Sequence, residues 1–192
     1  MPAVLVLWAA FLGLGWMVLA DYANRPGPLH EVVRAQPLLP ASVLASATPT
    51  LIVALHPHCP CSRASLRMLE PLLHRYPQAA RLLVAAYEPA HAPTDWDEGG
   101  LFDAAQRLPG AMLIPDVEGA WLRELGVLTS GHVLLYDAHG ELRFSGGITA
   151  GRGHEGANPA FSALEDRLSA PTTHPLVETP VFGCFIHTEP SV

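Results

Sequence analysis

The sequence carries little charge. Charged residues make up 15% of the 192 residues, against 49% hydrophobic residues, and the formal net charge is −7. A nucleic-acid-binding protein normally presents a basic face, so this balance argues against nucleic acid as a partner. Runs of like charge, which would form an interaction tail, are missing too. No internal repeat is found, and the length allows one domain with accessory segments.

Cysteine is also scarce. The three cysteines are an odd number, so a framework of disulfides cannot account for all of them. Two of them, Cys59 and Cys61, are separated by a single proline. This short spacing favours a local chemical role for the pair over a structural disulfide between distant parts of the chain. Histidine is abundant by comparison, and the ten histidines keep metal binding among the candidate functions.

Charge is missing altogether from the N-terminal stretch Ala3–Ala20. A membrane span takes about 17–25 apolar residues, so this run is just long enough to cross a bilayer. Residues 1–20 are therefore predicted to be a transmembrane anchor or a cleavable signal peptide, with Val18-Leu19-Ala20 as the cleavage site. No Lys or Arg precedes the run, and the lack of this basic segment favours the anchor. A buried core helix is the remaining alternative.

Both membrane-related interpretations place the cysteines outside the cytoplasm, where disulfides persist. Arg25 and Arg34 follow the apolar run, and under the positive-inside rule they argue weakly for the opposite orientation. We predict a membrane-anchored protein whose domain faces the periplasm or an equivalent extracytoplasmic side.

The rest of the chain divides into three segments. Residues 21–47 are rich in proline and are predicted to form a linker, with a short helix around Leu29–Ala35. Residues 48–170 carry the hydrophobic patterns of one domain. Residues 171–192 again contain several prolines and are predicted to be an extended tail.

Strands alternate with helices over residues 48–170. The predicted strands are Thr50–Leu55, Arg81–Tyr87, Ala111–Ile114, His132–Tyr136 and Glu141–Ser145. The predicted helices begin after Cys61, at Leu101, after Asp116 and near Pro159. Pro71 is expected to kink or divide the first helix. Crossover units followed by a hairpin predict an α/β fold with a mixed sheet flanked by helices.

The cysteines lie where the first strand meets the first helix. Pro60 suits the first helical position, because its φ is already fixed and its missing N–H has no helical partner to lose. Cys59 is then at or near the N-cap and Cys61 in the first turn. The positive end of the helix dipole stabilises a thiolate there, which predicts a reactive cysteine of low pKa.

These residues resemble the thioredoxin-like superfamily and, within it, the membrane-anchored subfamily called RedB. The resemblance is carried by His-Pro-His-Cys-Pro-Cys-Ser-Arg-Ala-Ser at 56–65, by Leu134–Gly140, by Gly146–Thr149 and by Arg152–Gly156. It covers roughly residues 48–170. It implies a thioredoxin-like fold and thiol–disulfide chemistry with protein thiols or disulfides as partners.

The sequence departs from the thioredoxin pattern in two places. Thioredoxins separate their two cysteines by two residues, whereas one residue separates them here. Either Cys59 matches the exposed nucleophile and Ser62 replaces the buried partner, or Cys61 matches the partner and His58 replaces the nucleophile. Thioredoxins also carry a cis-proline before the hairpin, where this chain reads Thr129–His132. These departures argue against ordinary thioredoxin or disulfide-isomerase activity.

Three kinds of chemistry suit the cysteine pair. Cys59 and Cys61 can close a strained and therefore relatively oxidising disulfide. With His56 or His58 they can bind a soft ion, Cu(I) or Zn(II). One thiol can also act alone and be resolved by an external partner, and inert buried cysteines are the remaining alternative. The two histidines can lower a thiol pKa or donate a proton, or can be plain loop residues.

Other residues are open to two interpretations. Cys184 in the tail can fold back as a resolving thiol, but a lone cysteine is slightly favoured. Arg152 and His154 can contact an anionic partner, although a solvated loop is favoured. Trp96 and Trp121 are expected to be packing residues.

We therefore predict a membrane-tethered thiol–disulfide redox protein with Cys59 as the attacking thiolate, Cys61 as its partner and His58 as a further catalytic residue. No cofactor is expected. The alternative is a copper- or zinc-binding or metallochaperone module that uses Cys59, Cys61, His56 and His58. A degenerate fold that serves only for binding is the third possibility.

Overall fold

The structure is a computed structural model, and it describes residues 2–28, 48–170 and 175–186. The helix predicted around residues 29–35 and most of the predicted linker lie outside the described residues. Helix α1 spans Pro2–Asn24, four residues beyond the predicted segment, and all but a few of its side chains are exposed. It is long and apolar enough to cross a membrane.

A six-stranded mixed sheet lies at the centre of the domain. The strands are β1 (Thr50–Leu55), β2 (Arg81–Glu88), β3 (Ala111–Val117), β4 (Val133–Tyr136), β5 (Leu142–Gly146) and β6 (Val177–Glu178). Their order across the sheet is β3-β2-β1-β4-β5-β6. Strands β1, β2 and β3 are parallel, β4 is antiparallel to both β1 and β5, and β6 is parallel to β5. The predicted crossover units and hairpin are confirmed, whereas β6 comes from the tail and was not predicted.

The helices that flank the sheet are α2 (Pro60–Arg75), α3 (Leu101–Gln106), α4 (Ala120–Glu124) and α5 (Pro159–Ser169). Pro71 does not divide α2, which continues through it from Pro60 to Arg75. Pro71 is itself exposed, and the buried Leu69, Leu72 and Leu73 on either side of it keep the helix packed on the sheet. Packing of this apolar face outweighs the one backbone hydrogen bond that a proline removes.

Two hydrophobic clusters cover the two faces of the sheet. Leu51, Val53 and Leu55 of β1 point into one cluster, which also contains side chains of α2 and α5. Ile52 and Ala54 point into the other, together with side chains of α4 and of the C-terminal tail. The alternation follows from the period of two along a strand, and it buries the whole of β1. The N-terminus of α2 is thereby held on a rigid support.

The N-cap residue of α4 is Gly119, but the side chain that satisfies the start of this helix comes from Asp116 in β3. The carboxylate of Asp116, which is buried, accepts hydrogen bonds from the backbone N–H groups of Trp121 (2.8 Å) and Leu122 (3.2 Å). These N–H groups have no partner within the helix, so the carboxylate satisfies two of them and also faces the positive end of the helix.

The segments outside the predicted domain are in contact with it. The backbone N–H of Gly27 donates to the carbonyl of Val181 at 2.8 Å, and the hydroxyl of Thr129 donates to the carbonyl of Pro28 at 3.0 Å. Val181 is fully buried. The end of α1 and the tail therefore pack on the same side of the domain.

Candidate functional site

The junction between β1 and α2 has the predicted geometry. Cys59 is the N-cap of α2, with extended backbone angles (φ −101°, ψ 118°), and Pro60 occupies the first turn. The N–H of Cys59 donates to the carbonyl of His56 at 3.0 Å, and the buried hydroxyl of Ser62 accepts the N–H of His56 at 3.0 Å. The end of the strand and the first helical turn are thus tied together, which fixes the position of Cys59.

All three cysteines of the chain meet at this junction as free thiols. The Cys59 sulfur contacts the thiols of Cys61 and Cys184 and the hydroxyl of Ser130. Cys59 and Cys61 are only 2% and 1% exposed, and Cys184 is half-buried. The preference for Cys184 as a lone cysteine is therefore wrong, because the tail returns to the start of α2.

The three thiols divide into one acceptor and two donors. Hydrogen bonds donated by Cys184 and then by Cys61 hold the pKa of Cys59 far below its usual range, and they outweigh its burial. Ser130 and the Ser62 N–H make smaller contributions in the same direction. The pKa values of Cys61 and Cys184 are raised, first by the bond that each makes to Cys59 and then by burial. The cluster therefore favours the thiolate form at Cys59 over that form at Cys61 or Cys184.

A short segment before β4 holds Cys184 in place. The N–H of Ser130 donates to the carbonyl of Cys184 at 2.9 Å, and the N–H of Cys184 donates to the hydroxyl of Ser130 at 3.0 Å. Phe185 forms an antiparallel bridge with Thr129, and the N–H of Ile186 donates to the carbonyl of Leu128 at 2.9 Å. Residues 184–186 of the tail therefore pair with residues 128–130 through backbone hydrogen bonds, as an antiparallel strand pairs with the edge of a sheet.

Two glycines make the close approach possible. A Cβ on Gly183 would lie 1.9 Å from the carbonyl oxygen of Ser130, and a Cβ on Gly147 would lie 2.7 Å from the carbonyl oxygen of Pro180. Real Cβ atoms do not come so near to backbone oxygens. Only glycine lets the two backbones lie this close at these positions.

Arg152 joins the glycine-rich loop to the tail and to α1. Its Nη1 donates to the carbonyl of Gly183, the residue before Cys184, and its Nε donates to the carbonyl of Tyr22 at 3.2 Å. The guanidinium also lies over the Tyr22 ring, 4.9 Å from its centre. The expectation of a solvated loop is thus wrong for Arg152, whereas His154 is exposed as that expectation requires.

An aromatic group covers the other side of the junction. The His56 ring stacks on Tyr87 at 5.2 Å, and the His58 ring meets Trp96 edge-on at 4.4 Å between ring centres. Trp96 donates its indole N–H to the carbonyl of Tyr87 at 2.9 Å. Trp96 is therefore a packing residue as predicted, and its packing partners include both candidate histidines.

The two histidines occupy different environments. His58 is exposed, while His56 is half-buried and accepts the N–H of His58 at its Nδ1 (3.2 Å). Burial lowers the pKa of His56, and the nearby Cys59 thiolate opposes this shift. Of the predicted metal set, the structure places Cys59 and Cys61 together. Although the thiols of Cys61 and Cys184 both neighbour Cys59, no group of three or more His, Cys, Asp or Glu side chains within residues 2–28, 48–170 and 175–186 is arranged to hold a metal ion.

The segment Thr129–His132, where the sequence departs from the cis-proline of thioredoxins, is shaped by Gly131. Gly131 has φ +80°, and a Cβ there would lie 3.0 Å from the hydroxyl of Ser65 in α2. Its N–H donates to the carbonyl of Ala54 at 2.7 Å. No peptide bond of the described chain is cis. Gly131 thus brings the Ser130 backbone against the start of α2 without a proline.

Sequence reasoning missed how some of these residues come together. Neither Ser130 nor Gly183 was singled out, and Arg152 was not connected with the cysteines. The available signals were the odd cysteine and the Gly-Cys pair in a tail that otherwise lacks a function. These signals do not specify a partner, because the contacts join segments that are distant in sequence.

No family model matches the chain, and no curated protein matches it. Solved structures do. An uncharacterized conserved protein from Geobacillus kaustophilus has a TM-score of 0.62 at 15% identity, over 88% of this chain and 94% of that one. A hypothetical protein from Sinorhizobium meliloti has a TM-score of 0.62 at 15% identity, over 85% and 93%.

A third solved structure is a secreted disulfide oxidoreductase of Mycobacterium tuberculosis, described as homologous to Escherichia coli DsbE. Its TM-score is 0.47 at 16% identity, over 73% of this chain and 96% of that one. Such low identities concern the fold alone. The mixed sheet, with its parallel crossovers, its antiparallel hairpin and helices on both faces, is that of a thioredoxin-like fold.

Proposed function

We propose that this protein exchanges thiols and disulfides with protein substrates, with Cys59 as the attacking thiolate. The observation that carries the proposal is the position of Cys59 at the N-cap of α2, where the thiols of Cys61 and Cys184 donate to it. The thiolate is the nucleophile in disulfide exchange, and a lowered pKa keeps that form populated at neutral pH.

The reaction begins with attack of the Cys59 thiolate on one sulfur of a substrate disulfide. The substrate S–S bond breaks, its other sulfur leaves as a thiolate, and a mixed disulfide joins Cys59 to the substrate. Cys59 is 2% exposed with the tail in place, so the tail must move for a protein substrate to reach it. A second thiol of this chain then releases the reduced substrate.

The Cys-Pro-Cys motif, the RedB-like subfamily and the membrane tether are parts of the proposal. Helix α1 has the length and composition of a membrane span. Disulfides persist outside the cytoplasm, which supports a domain on the periplasmic or an equivalent side. The exposed His58 is proposed as a proton donor to the leaving thiolate, since its ring lies at the surface beside the cysteine junction.

Two measurements on the full-length protein in detergent test the proposal. The rate at which iodoacetamide alkylates Cys59 is expected to hold at pH values below the usual range of a thiol, because the thiolate persists there. Oxidised glutathione is expected to form a mixed disulfide at Cys59. Cys59→Ser is the control and should lose both signals. If glutathione modifies neither Cys59 nor any other thiol of the folded protein, the proposal fails.

Copper or zinc binding by Cys59, Cys61, His56 and His58 stays a prediction. Anaerobic loading of the full-length protein with Cu(I) or Zn(II) tests it directly. A stoichiometric ion that is lost in Cys59→Ala would support it, and a protein that stays metal-free would exclude it. Disulfide exchange, by contrast, needs no ion and should persist in a chelating buffer.

A further inference from the structure

We propose that Cys184 is the resolving cysteine, so that the working disulfide joins Cys59 to Cys184 rather than to Cys61. The inference rests on the proposed disulfide exchange and names the second thiol of that reaction. Cys184 is the one cysteine outside the Cys-Pro-Cys motif, and its thiol contacts the Cys59 sulfur.

The placement of Cys184 is determined by its backbone. Ser130 pairs with both the carbonyl and the N–H of Cys184, at 2.9 and 3.0 Å. The preceding carbonyl, that of Gly183, accepts from Arg152. Two residues after Cys184, Ile186 is buried, and its N–H donates a hydrogen bond to the carbonyl of Leu128. Hydrogen bonds before and after Cys184 hold its backbone in place, and from there its thiol interacts with the Cys59 sulfur.

The surface on which residues 180–183 of the tail pack also fits the tail closely. A Cβ on Gly183 would overlap the Ser130 carbonyl oxygen, and a Cβ on Gly147 would lie 2.7 Å from the Pro180 carbonyl oxygen. Val181 is fully buried and accepts a backbone hydrogen bond from Gly27. A tail that lay on the surface by chance would need none of these features.

Cys61 is less suited to close the bridge. It lies within the first turn of α2, and only Pro60 separates it from the extended Cys59. The fixed φ of proline and the helical backbone of Cys61 restrict how the two Cβ atoms can turn towards each other. Cys184 belongs to a separate segment and carries no such restriction.

Cys184 resolves the mixed disulfide in a second exchange step. After Cys59 has formed a mixed disulfide with the substrate, the Cys184 thiol loses its proton to solvent and attacks the Cys59 sulfur. The mixed disulfide breaks, the second substrate sulfur leaves as a thiolate, and the Cys59–Cys184 bond forms. Two thiols of the protein are oxidised, and one substrate disulfide is reduced to two thiols.

Peptide mapping of the full-length protein tests the inference. The protein in detergent is treated with oxidised glutathione, free thiols are blocked with N-ethylmaleimide, and trypsin digestion is followed by mass spectrometry without reduction. Cleavage after Arg63 leaves Cys59 and Cys61 on one peptide, and cleavage after Arg167 leaves Cys184 on another. The two possible bridges therefore give different products.

We expect the two peptides to be linked in the wild-type protein and equally in Cys61→Ser. In Cys184→Ser the link should be lost, and the glutathione adduct on Cys59 should accumulate instead. A single peptide lighter by two hydrogens, which reports a Cys59–Cys61 bridge, would overturn the inference but leave disulfide exchange standing. Loss of the link in Cys61→Ser would overturn it too. No adduct and no bridge in any of these proteins would instead refute the proposed exchange itself.

Discussion

Ser130 holds Cys184 on both sides of its backbone. Its N–H donates to the Cys184 carbonyl at 2.9 Å, and its hydroxyl accepts the Cys184 N–H at 3.0 Å. The same hydroxyl contacts the sulfur of Cys59. One serine thus connects the tail to Cys59, the proposed nucleophile, and the reactivity of Cys59 should depend on whether the tail is bound in this position.

Gly183→Ala should displace the tail. The added methyl group would lie 1.9 Å from the Ser130 carbonyl oxygen, which is backbone and cannot turn aside. Overpacking costs about 1–3 kcal/mol, and roughly 1.4 kcal/mol is a tenfold change in population, so alkylation of Cys59 should accelerate by about tenfold. The rate of iodoacetamide labelling in the full-length protein measures this.

Gly15→Ala is the matched control, because no heavy atom lies within 4 Å of a Cβ there. Its labelling rate should equal that of the wild type. Equal rates in Gly183→Ala and the wild type would mean that the tail does not control access to Cys59.

Arg152→Gln should loosen the tail without unfolding the domain. The variant loses the charged donor to the Gly183 carbonyl and the cation over the Tyr22 ring. A hydrogen bond from a charged group contributes about 1.5–3 kcal/mol, so Cys59 labelling should again rise by roughly tenfold or more. The melting temperature is measured in parallel, because a positioning role predicts faster labelling at nearly unchanged Tm.

Arg75→Gln serves as the comparison for Arg152→Gln. Arg75 forms an exposed ion pair with Glu165 at 2.5 Å, and exposed pairs contribute little to stability. Its removal should leave both labelling and Tm unchanged. If the two arginine variants behave alike, Arg152 does not position the tail.

His132 should make the protein sensitive to acid. Burial lowers its pKa from 6.5 to about 4, and its Nε2 lies 2.9 Å from the hydroxyl of Ser145. As the pH falls from 6.5 to 4, the unfolded chain binds a proton that the folded one does not bind. The free energy of unfolding should therefore fall with pH, by roughly 3 kcal/mol over this range.

Urea unfolding of His132→Gln across the same pH range checks the prediction. Glutamine does not titrate, so its free energy of unfolding should fall less than that of the wild type by about that amount. His91→Gln, at an exposed position, is the matched control and should lose stability with falling pH as the wild type does. A wild-type slope in His132→Gln would show that another group causes the loss of stability.

Helix α1 should remain attached as a membrane anchor. It continues without a break through Ala20, the predicted cleavage position, to Asn24. After expression in a bacterium with a periplasm, the protein should stay in the membrane fraction through carbonate washing. Its N-terminus, read by sequencing, should precede residue 20. A mature N-terminus at Asp21 would identify residues 1–20 as a signal peptide.

Much of the fold was predictable because it depends on local patterns. The alternation in β1 and the helical spacing after Cys61 each require only neighbouring residues. The N-cap position of Cys59 likewise follows from Pro60 beside it. Strand β6 was not predicted because its two residues are too few to show the alternation of apolar and polar side chains typical of a strand. They form a strand only by pairing with β5.

The sequence by itself determined the order of strands and helices, the apolar N-terminal segment and the N-cap position of Cys59, since local periodicity and capping decide these features. Only the tertiary structure decided what Cys59 touches. The partnership with Cys184 depends on Gly131 and Gly183, which allow two distant segments to approach, and on Ser130 and Arg152, which bind the tail once it arrives. Hydrogen bonds between distant segments produce no periodic pattern in the sequence. Each segment can adopt its local conformation without its partner, so neither segment indicates the other.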